Sequence, residues 1–351
     1  MAYEDQTFSR SGPSHLTAVD WSNLNHKRSV LASLVQGVYT LQHDQRHNRK
    51  YPYALAHPWW DSFNFQVYQR LVDNNDGSIF GVVFRLLSSC HQTGGPPQYV
   101  IAFRGTIMKP ENWEEDVKLN VKVVLNRIQK SNRFRTALEA ATQAIQIEHK
   151  CVWLVGHSLG SSLALAVGRE IVKKFKVRLE TYLFNPPFIS LPIERIKNNK
   201  VKTGIRYLTS FVTAGLTQLT AAAAVAVTTE TSKKDYFAML STWVPYVFIN
   251  RADPICSEYA GYFKNRESME AIGAGKIVRI ATKRSVLSMF SSHEPLHLLP
   301  CAHITLNVTA ATRFKEAHGI CKEWLKFKEA HGIDQWWRRD LKVECKQYQY
   351  K

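Results

Sequence analysis

Acidic residues are scarce in this chain of 351: 29 Asp+Glu stand against 46 Lys+Arg, leaving a formal charge of +17. Such a balance favours anionic partners, either nucleic acid or an anionic membrane surface. A basic surface on a soluble protein accounts for it equally well. No dense Lys/Arg block and no nucleic-acid motif is present, so nucleic acid is not expected and the bias leans toward peripheral contact with lipid. Six cysteines (Cys90, Cys151, Cys256, Cys301, Cys321, Cys345) lie scattered without a C-x-x-C pair or a zinc spacing, which argues against a zinc ribbon or a dithiol redox site. The segment Met1–Leu16 lacks the charged-then-apolar order of a secretory signal. The expectation is therefore free thiols in a reducing, cytoplasmic setting, where the Asn307-Val308-Thr309 sequon would stay unglycosylated.

Charge is missing altogether from Tyr207 to Thr229. That length approaches the roughly 20 residues of a membrane span. Thr209, Thr213 and Thr217 recur every four residues, however, so a helical insertion at about 205–240 is the preferred reading. A lid or lipid-contacting element is the alternative. A phosphate loop is also missing: Gly273-Ala274-Gly275-Lys276 has the wrong spacing, and Ile277 stands where a hydroxyl belongs.

What is present is a chain with 45% apolar and 21% charged residues, ordinary for a globular protein. The apolar positions Val30, Leu31, Leu34, Val35 and Val38 fit one helical face within His26–Leu41. Tyr51–Tyr68 reads as an aromatic, proline-containing segment that covers core, with the lining of a substrate entrance as the alternative. Ile79–Leu87 and Tyr99–Phe103 read as a strand pair. Helical patterns at Trp113–Ile128 and Arg133–Ile147 follow. Cys151–Val155, Tyr182–Phe184, Val247–Asn250 and Ile277–Ile280 read as strands. Strands alternating with helices imply a mainly parallel sheet covered on both faces. The expected organisation is a cover segment over residues 1–78, an α/β domain over 79–340 and a tail over 341–351.

Between the strand Cys151–Val155 and a helix marked by Leu159, Leu163, Val167 and Ile171 lies Gly156-His157-Ser158-Leu159-Gly160. A strand, a tight G-x-S-x-G turn and a helix make the nucleophile elbow of α/β-hydrolases, with Ser158 at its apex. A second row, Gly160, Ala164 and Gly168, is small enough to bring that helix close to a sheet. A serine nucleophile needs a base, an acid to orient it and donors for the oxyanion. Asp253 follows the strand Val247–Asn250, where catalytic groups of parallel sheets gather, and Pro254 stops the chain there. The backbone N–H groups of Thr106, after the strand Ile101–Phe103, and of Leu159 suit the oxyanion.

Taken together, Phe103-Arg104-Gly105-Thr106, Asn112-Trp113, Asp116, Val155–Gly160 with Leu163-Ala164, and Asn250-x-x-Asp253-Pro254 are similar to the class 3 (fungal-type) lipase family. The flanks Trp59-Trp60 and Cys256–Phe263 look like its plant branch. Some plant members are labelled GDSL esterase/lipase, although this chain has no G-D-S-L block near its N-terminus. One departure is Ser161-Ser162, where the family usually has Gly-Ala. The resemblance implies the α/β-hydrolase fold, Ser158 as nucleophile, Asp253 as acid, and Thr106 with Leu159 as the oxyanion hole. It implies a serine ester hydrolase acting on lipid-like acyl esters without a cofactor or metal; a lipase-like scaffold without turnover is the alternative. In the family the base follows the last strand on a loop, with an aromatic residue soon after. Five histidines follow Asp253: His293, His297, His303, His318 and His331. His297 falls in Leu296–Pro300, which reads as the last strand. The fitting segment occurs twice, as Phe314–Ile320 and Phe327–Ile333, identical over seven residues. His318 keeps the shorter path from the strand and is slightly preferred; His331 keeps the downstream Gln335-Trp336-Trp337.

Overall fold

Residue alternation in five short apolar runs assembles the centre of the molecule. In the computed structural model, which describes residues 13, 16, 18–87, 95–107, 128–147, 151–188, 239–274, 298–309 and 319–349, eight strands form one mixed sheet. They are β1 (Phe65–Val72), β2 (Ile79–Leu86), β3 (Tyr99–Phe103), β4 (Val152–His157), β5 (Glu180–Phe184), β6 (Tyr246–Asn250), β7 (Ala302–Asn307) and β8 (Val343–Tyr348). Their order in the sheet is their order in the chain. Strands β3 to β7 are parallel, whereas β1, β2 and β8 join antiparallel at the two edges.

This topology decides what must cover each face. When successive parallel strands step in one direction, crossovers of one hand all land on the same side. Accordingly α2 (Asn132–Ile147), α3 (Leu159–Phe175) and α4 (Glu258–Ala271) pack with Ile101, Leu154, Leu183, Val247 and Ile249 in one core. The intervening side chains, Val100, Ala102, Val155, Tyr182, Phe184 and Phe248, point to the other face. That face is covered by α1 (Leu24–Arg46), which comes from outside the crossover series, and by the 3-10 turn Ile333–Trp337. The last described helix, α5 (Gly319–His331), leads into that turn.

Burial of α1 reaches beyond the one face that its pattern indicates, covering every residue from Arg28 to Asp44. Its polar side chains are used to hold loops. Asp44 accepts the N–H groups of Leu55 and Ala56, and Gln42 Oε1 accepts that of Ile79. Arg28 Nε donates 2.8 Å to the Trp336 carbonyl. Residues 1–78 thus contribute β1 as well as a cover. Residues 341–351, expected as a tail, contribute β8, whose polar and largely exposed Val-Glu-Cys-Lys-Gln-Tyr carries little of the alternation that betrays a strand.

Another correction concerns the last parallel strand. Leu298–Pro300 is not extended into the sheet; the strand begins at Ala302. The carbonyls of Leu299 and Pro300 accept instead from the buried Arg266 guanidinium, at 2.9 and 3.0 Å. Ile128–Lys130 is a 3-10 turn. The remaining Trp113–Ile128 positions, Ile277–Ile280, His293, His297, Asn112, Asp116 and the Tyr207–Thr229 segment lie outside the described residues. Among the described residues no helix is long and apolar enough to cross a membrane.

Candidate active site

Ser158 stands between β4 and α3 with φ 54° and ψ −127°, a left-handed backbone that a β-carbon disfavours, and is 2% exposed. Close packing compels this turn. A Cβ on Gly156 would lie 2.3 Å from the Gly160 carbonyl oxygen, and one on Gly160 would lie 2.4 Å from that of Phe103. The serine N–H donates 2.9 Å to Phe184 O, pinning the turn to β5. Ser161, at the position where Gly was expected, places its hydroxyl 2.8 Å from both Gly156 O and Phe184 O and adds a second pin. The small row continues at Gly168, although there the close neighbour is Trp243, 2.6 Å from a Cβ added at that glycine.

Two backbone segments border the serine. Leu159 is the first residue of α3, so its N–H has no acceptor within the helix. On the other side the loop after β3 comes so near that a Cβ on Gly105 would be 2.7 Å from Ser158 Cβ. Buried Arg104 stiffens this loop: Nε donates 2.6 Å to Ile79 O and a terminal nitrogen donates 2.8 Å to Gly105 O. Thr106, next in the chain, is exposed.

Asp253 and His331 meet. His331 Nδ1 lies 2.8 Å from Asp253 Oδ2, with both side chains buried. Oδ2 also accepts from Asn185 Nδ2 at 2.7 Å and from the Cys256 thiol at 3.1 Å, while Oδ1 accepts the Ile255 N–H at 2.9 Å. Burial opposes the carboxylate charge, but His331 and the hydrogen bonds from Asn185 and Ile255 overcome it and hold the group below the usual carboxylate range. Burial next to that carboxylate pushes the Cys256 thiol well up, so it stays a donor. Against an ionised carboxylate, His331 Nδ1 is the donor. Nε2 is buried and has no hydrogen-bond partner among the described residues.

Several side chains that the sequence reading did not assign hold this pair. Asn185, left-handed at φ 47° just beyond β5, ties Asp253 to the Ala330 carbonyl and accepts from Trp336 Nε1 at 2.7 Å. Gln335, 2% exposed, donates to Ala330 O and Gly332 O and accepts from Asn250 and Asn307 at 2.9 Å each. One side chain therefore fastens the histidine loop to the carboxyl ends of β6 and β7. Phe327 stacks on the His331 ring at 5.0 Å between centroids. His157 also packs against that ring, 4.8 Å between centroids. Burial, then the nearby His331, lowers the pKa of His157 to about 3, so that ring is neutral. The only forewarning in the sequence was Gln335-Trp336-Trp337 after the second copy of the repeat. His318 lies outside the described residues, and His303 sits in β7. Among the described residues no three His, Cys, Asp or Glu side chains gather as metal ligands.

No family model matches the chain. A crystal structure of EstE5 that was soaked with p-nitrophenyl butyrate covers 70% of this chain and 96% of its own, at 13% identity and a TM-score of 0.25, too slight a likeness to carry an argument. A protein of Arabidopsis thaliana named GDSL esterase/lipase At4g10955 is 39% identical across 368 aligned positions that take in the whole of both chains. Despite that name, the serine at the sharp turn here lies in Gly156-His157-Ser158-Leu159-Gly160. On this full-length identity, the chain belongs to the plant esterase/lipase family to which that Arabidopsis protein belongs.

Proposed function

We propose that the protein is a serine carboxylic-ester hydrolase of the class 3 (fungal-type) lipase kind, with the α/β-hydrolase fold, acting on lipid-like acyl esters through an acyl-enzyme. The observation that carries this reading is the buried Asp253–His331 pair at 2.8 Å, its Nε2 unpartnered among the described residues, packed against the residue that precedes Ser158. His331 Nε2 takes the Ser158 hydroxyl proton as Oγ bonds to the ester carbonyl carbon. The carbonyl oxygen becomes an oxyanion facing the N–H groups of Thr106 and Leu159, which together stabilise the transition state by several kcal/mol, roughly 3 each at the upper range. Collapse breaks the bond to the leaving alcohol, which receives the proton from Nε2. Water then repeats the sequence and frees the acid. Asp253 stays ionised throughout and holds the imidazole in the Nδ1–H tautomer.

His331 is the base in this reading, in place of His318, because it reaches Asp253 and its loop is fastened by Gln335. The esters are lipid-like because the family resemblance implies it, and the +17 charge suits peripheral contact with anionic membrane surfaces. Ser158→Ala is expected to abolish hydrolysis of a short p-nitrophenyl ester and labelling by a fluorophosphonate probe, with thermal unfolding nearly unchanged. Undiminished hydrolysis by that variant, or a wild-type protein that no fluorophosphonate labels, refutes the assignment.

A further inference from the structure

A line of hydrogen bonds crosses the site without including Ser158 Oγ. The Gly105 N–H donates 2.7 Å to Tyr39 Oη, Tyr39 Oη lies 2.8 Å from His157 Nδ1, and His157 Nε2 lies 2.7 Å from the His331 carbonyl oxygen. Chemistry fixes the direction of every link. A carbonyl only accepts, so His157 Nε2 carries the proton; Nδ1 of the neutral ring must then accept; Tyr39 must donate to it. The phenol oxygen is left free to accept from Gly105. Burial pushes the Tyr39 hydroxyl above its ordinary range, so it remains a donor. Tyr39, His157 and Gly105 are all buried, and water offers them no easy substitute.

The two ends of this line are the oxyanion loop and the backbone of the proposed base. We propose that Tyr39, from the N-terminal helix, is a positioning residue that acts through His157 to set the spacing between the loop Arg104-Gly105-Thr106 and His331. This inference rests on the hydrolase reading above. Without the Tyr39 hydroxyl, the Gly105 N–H loses its acceptor and His157 Nδ1 its donor, while the ring packing of α1 is kept. The loop and the base then lose their common reference. Small displacements of reacting groups cost on the order of 10²-fold in rate.

The test compares Tyr39→Phe with Thr40→Val in the full chain. Thr40 is also buried on α1, but among the described residues its hydroxyl bonds to the Gln36 carbonyl of the same helix alone. Tyr39→Phe is expected to lower kcat on the order of 10²-fold with KM little changed, and Thr40→Val to leave kcat near wild type. Amide exchange at Gly105 is expected to lose its protection in Tyr39→Phe alone, and the ¹⁵N signal of His157 Nδ1 to shift. Retained kcat in Tyr39→Phe, or an equal fall in both variants, overturns the proposal. If wild-type protein shows no Ser158-dependent turnover, the hydrolase reading has failed, and the exchange and ¹⁵N measurements decide whether the positioning line exists. Unchanged values there overturn it.

Discussion

The two halves of the candidate site are held by opposite means. Around Ser158, backbone presses on backbone: Gly156, Gly160 and Gly105 leave no room for a further carbon. Around Asp253 and His331, side chains reach across the ends of strands, and Asn185, Gln335, Cys256 and Trp336 supply the hold. The first half fails when an atom is added, the second when a hydrogen bond is taken away. The serine half is limited chiefly by added volume; the half built from side-chain hydrogen bonds is limited chiefly by lost polar partners.

The largest effect separates the two copies of the repeat. His331→Ala is expected to reduce kcat on the order of 10⁴-fold or more, while His318→Ala stays near wild type in the same ester assay. Equal losses would put the base elsewhere and dissolve the contrast. Next comes an added atom on the serine side. Gly156→Ala forces a carbon to 2.3 Å from the Gly160 oxygen, and a loss of about 3 kcal/mol or more is expected in denaturant unfolding. Normal stability in that variant would show the turn to be slack. On the other side, Gln335→Leu preserves bulk but strands the amides of Asn250 and Asn307. A cost of about 2–3 kcal/mol is expected, together with loss of kcat as the histidine loop loosens.

The smallest effect lies at the seam, in the pH dependence of His157. Its folded pKa, about 3, is below the ordinary 6.5, so the unfolded chain binds the extra proton as pH falls through 6.5. Stability from this ring is therefore complete above that value and declines below it, by about 2 kcal/mol at pH 5. His303, half-buried and also lowered by burial, adds to the same slope. Asp253, held under its ordinary 3.8, loses its contribution only below that pH. Urea unfolding at pH 7 and pH 5 is expected to show a flatter dependence for His157→Gln than for wild type, by that 2 kcal/mol. Parallel curves would mean that the ring titrates in the folded state.

The difference between the halves also explains what the sequence could reveal. The serine turn is contiguous, so a strand, five residues and a helix disclosed it. Asp253 was legible from a strand end followed by proline. The histidine that meets Asp253 was not, because Phe314–Ile320 and Phe327–Ile333 are identical. Path length from the last strand favoured His318, but a loop also needs fastening. Four and five residues after His331 stand Gln335 and Trp336, which bond to Asn250, Asn307 and Asn185; at the same offsets from His318 stand Lys322 and Glu323. Tyr39 was hidden by distance, 118 positions before His157, within a helix whose apolar pattern suggested only a cover. The parallel strands were evident from their apolar runs, whereas β8, polar on an edge, was not.

The hydrogen bond from Arg28 to the carbonyl of Trp336 spans 308 positions of the chain. During synthesis the helix Leu24–Arg46 precedes the serine turn that it braces through Tyr39. The histidine, the glutamine that fastens it and the carbonyl that Arg28 awaits follow at positions 331, 335 and 336. A chain halted before residue 331 thus lacks the imidazole that meets Asp253 and the two carbonyls to which Arg28 and His157 bond.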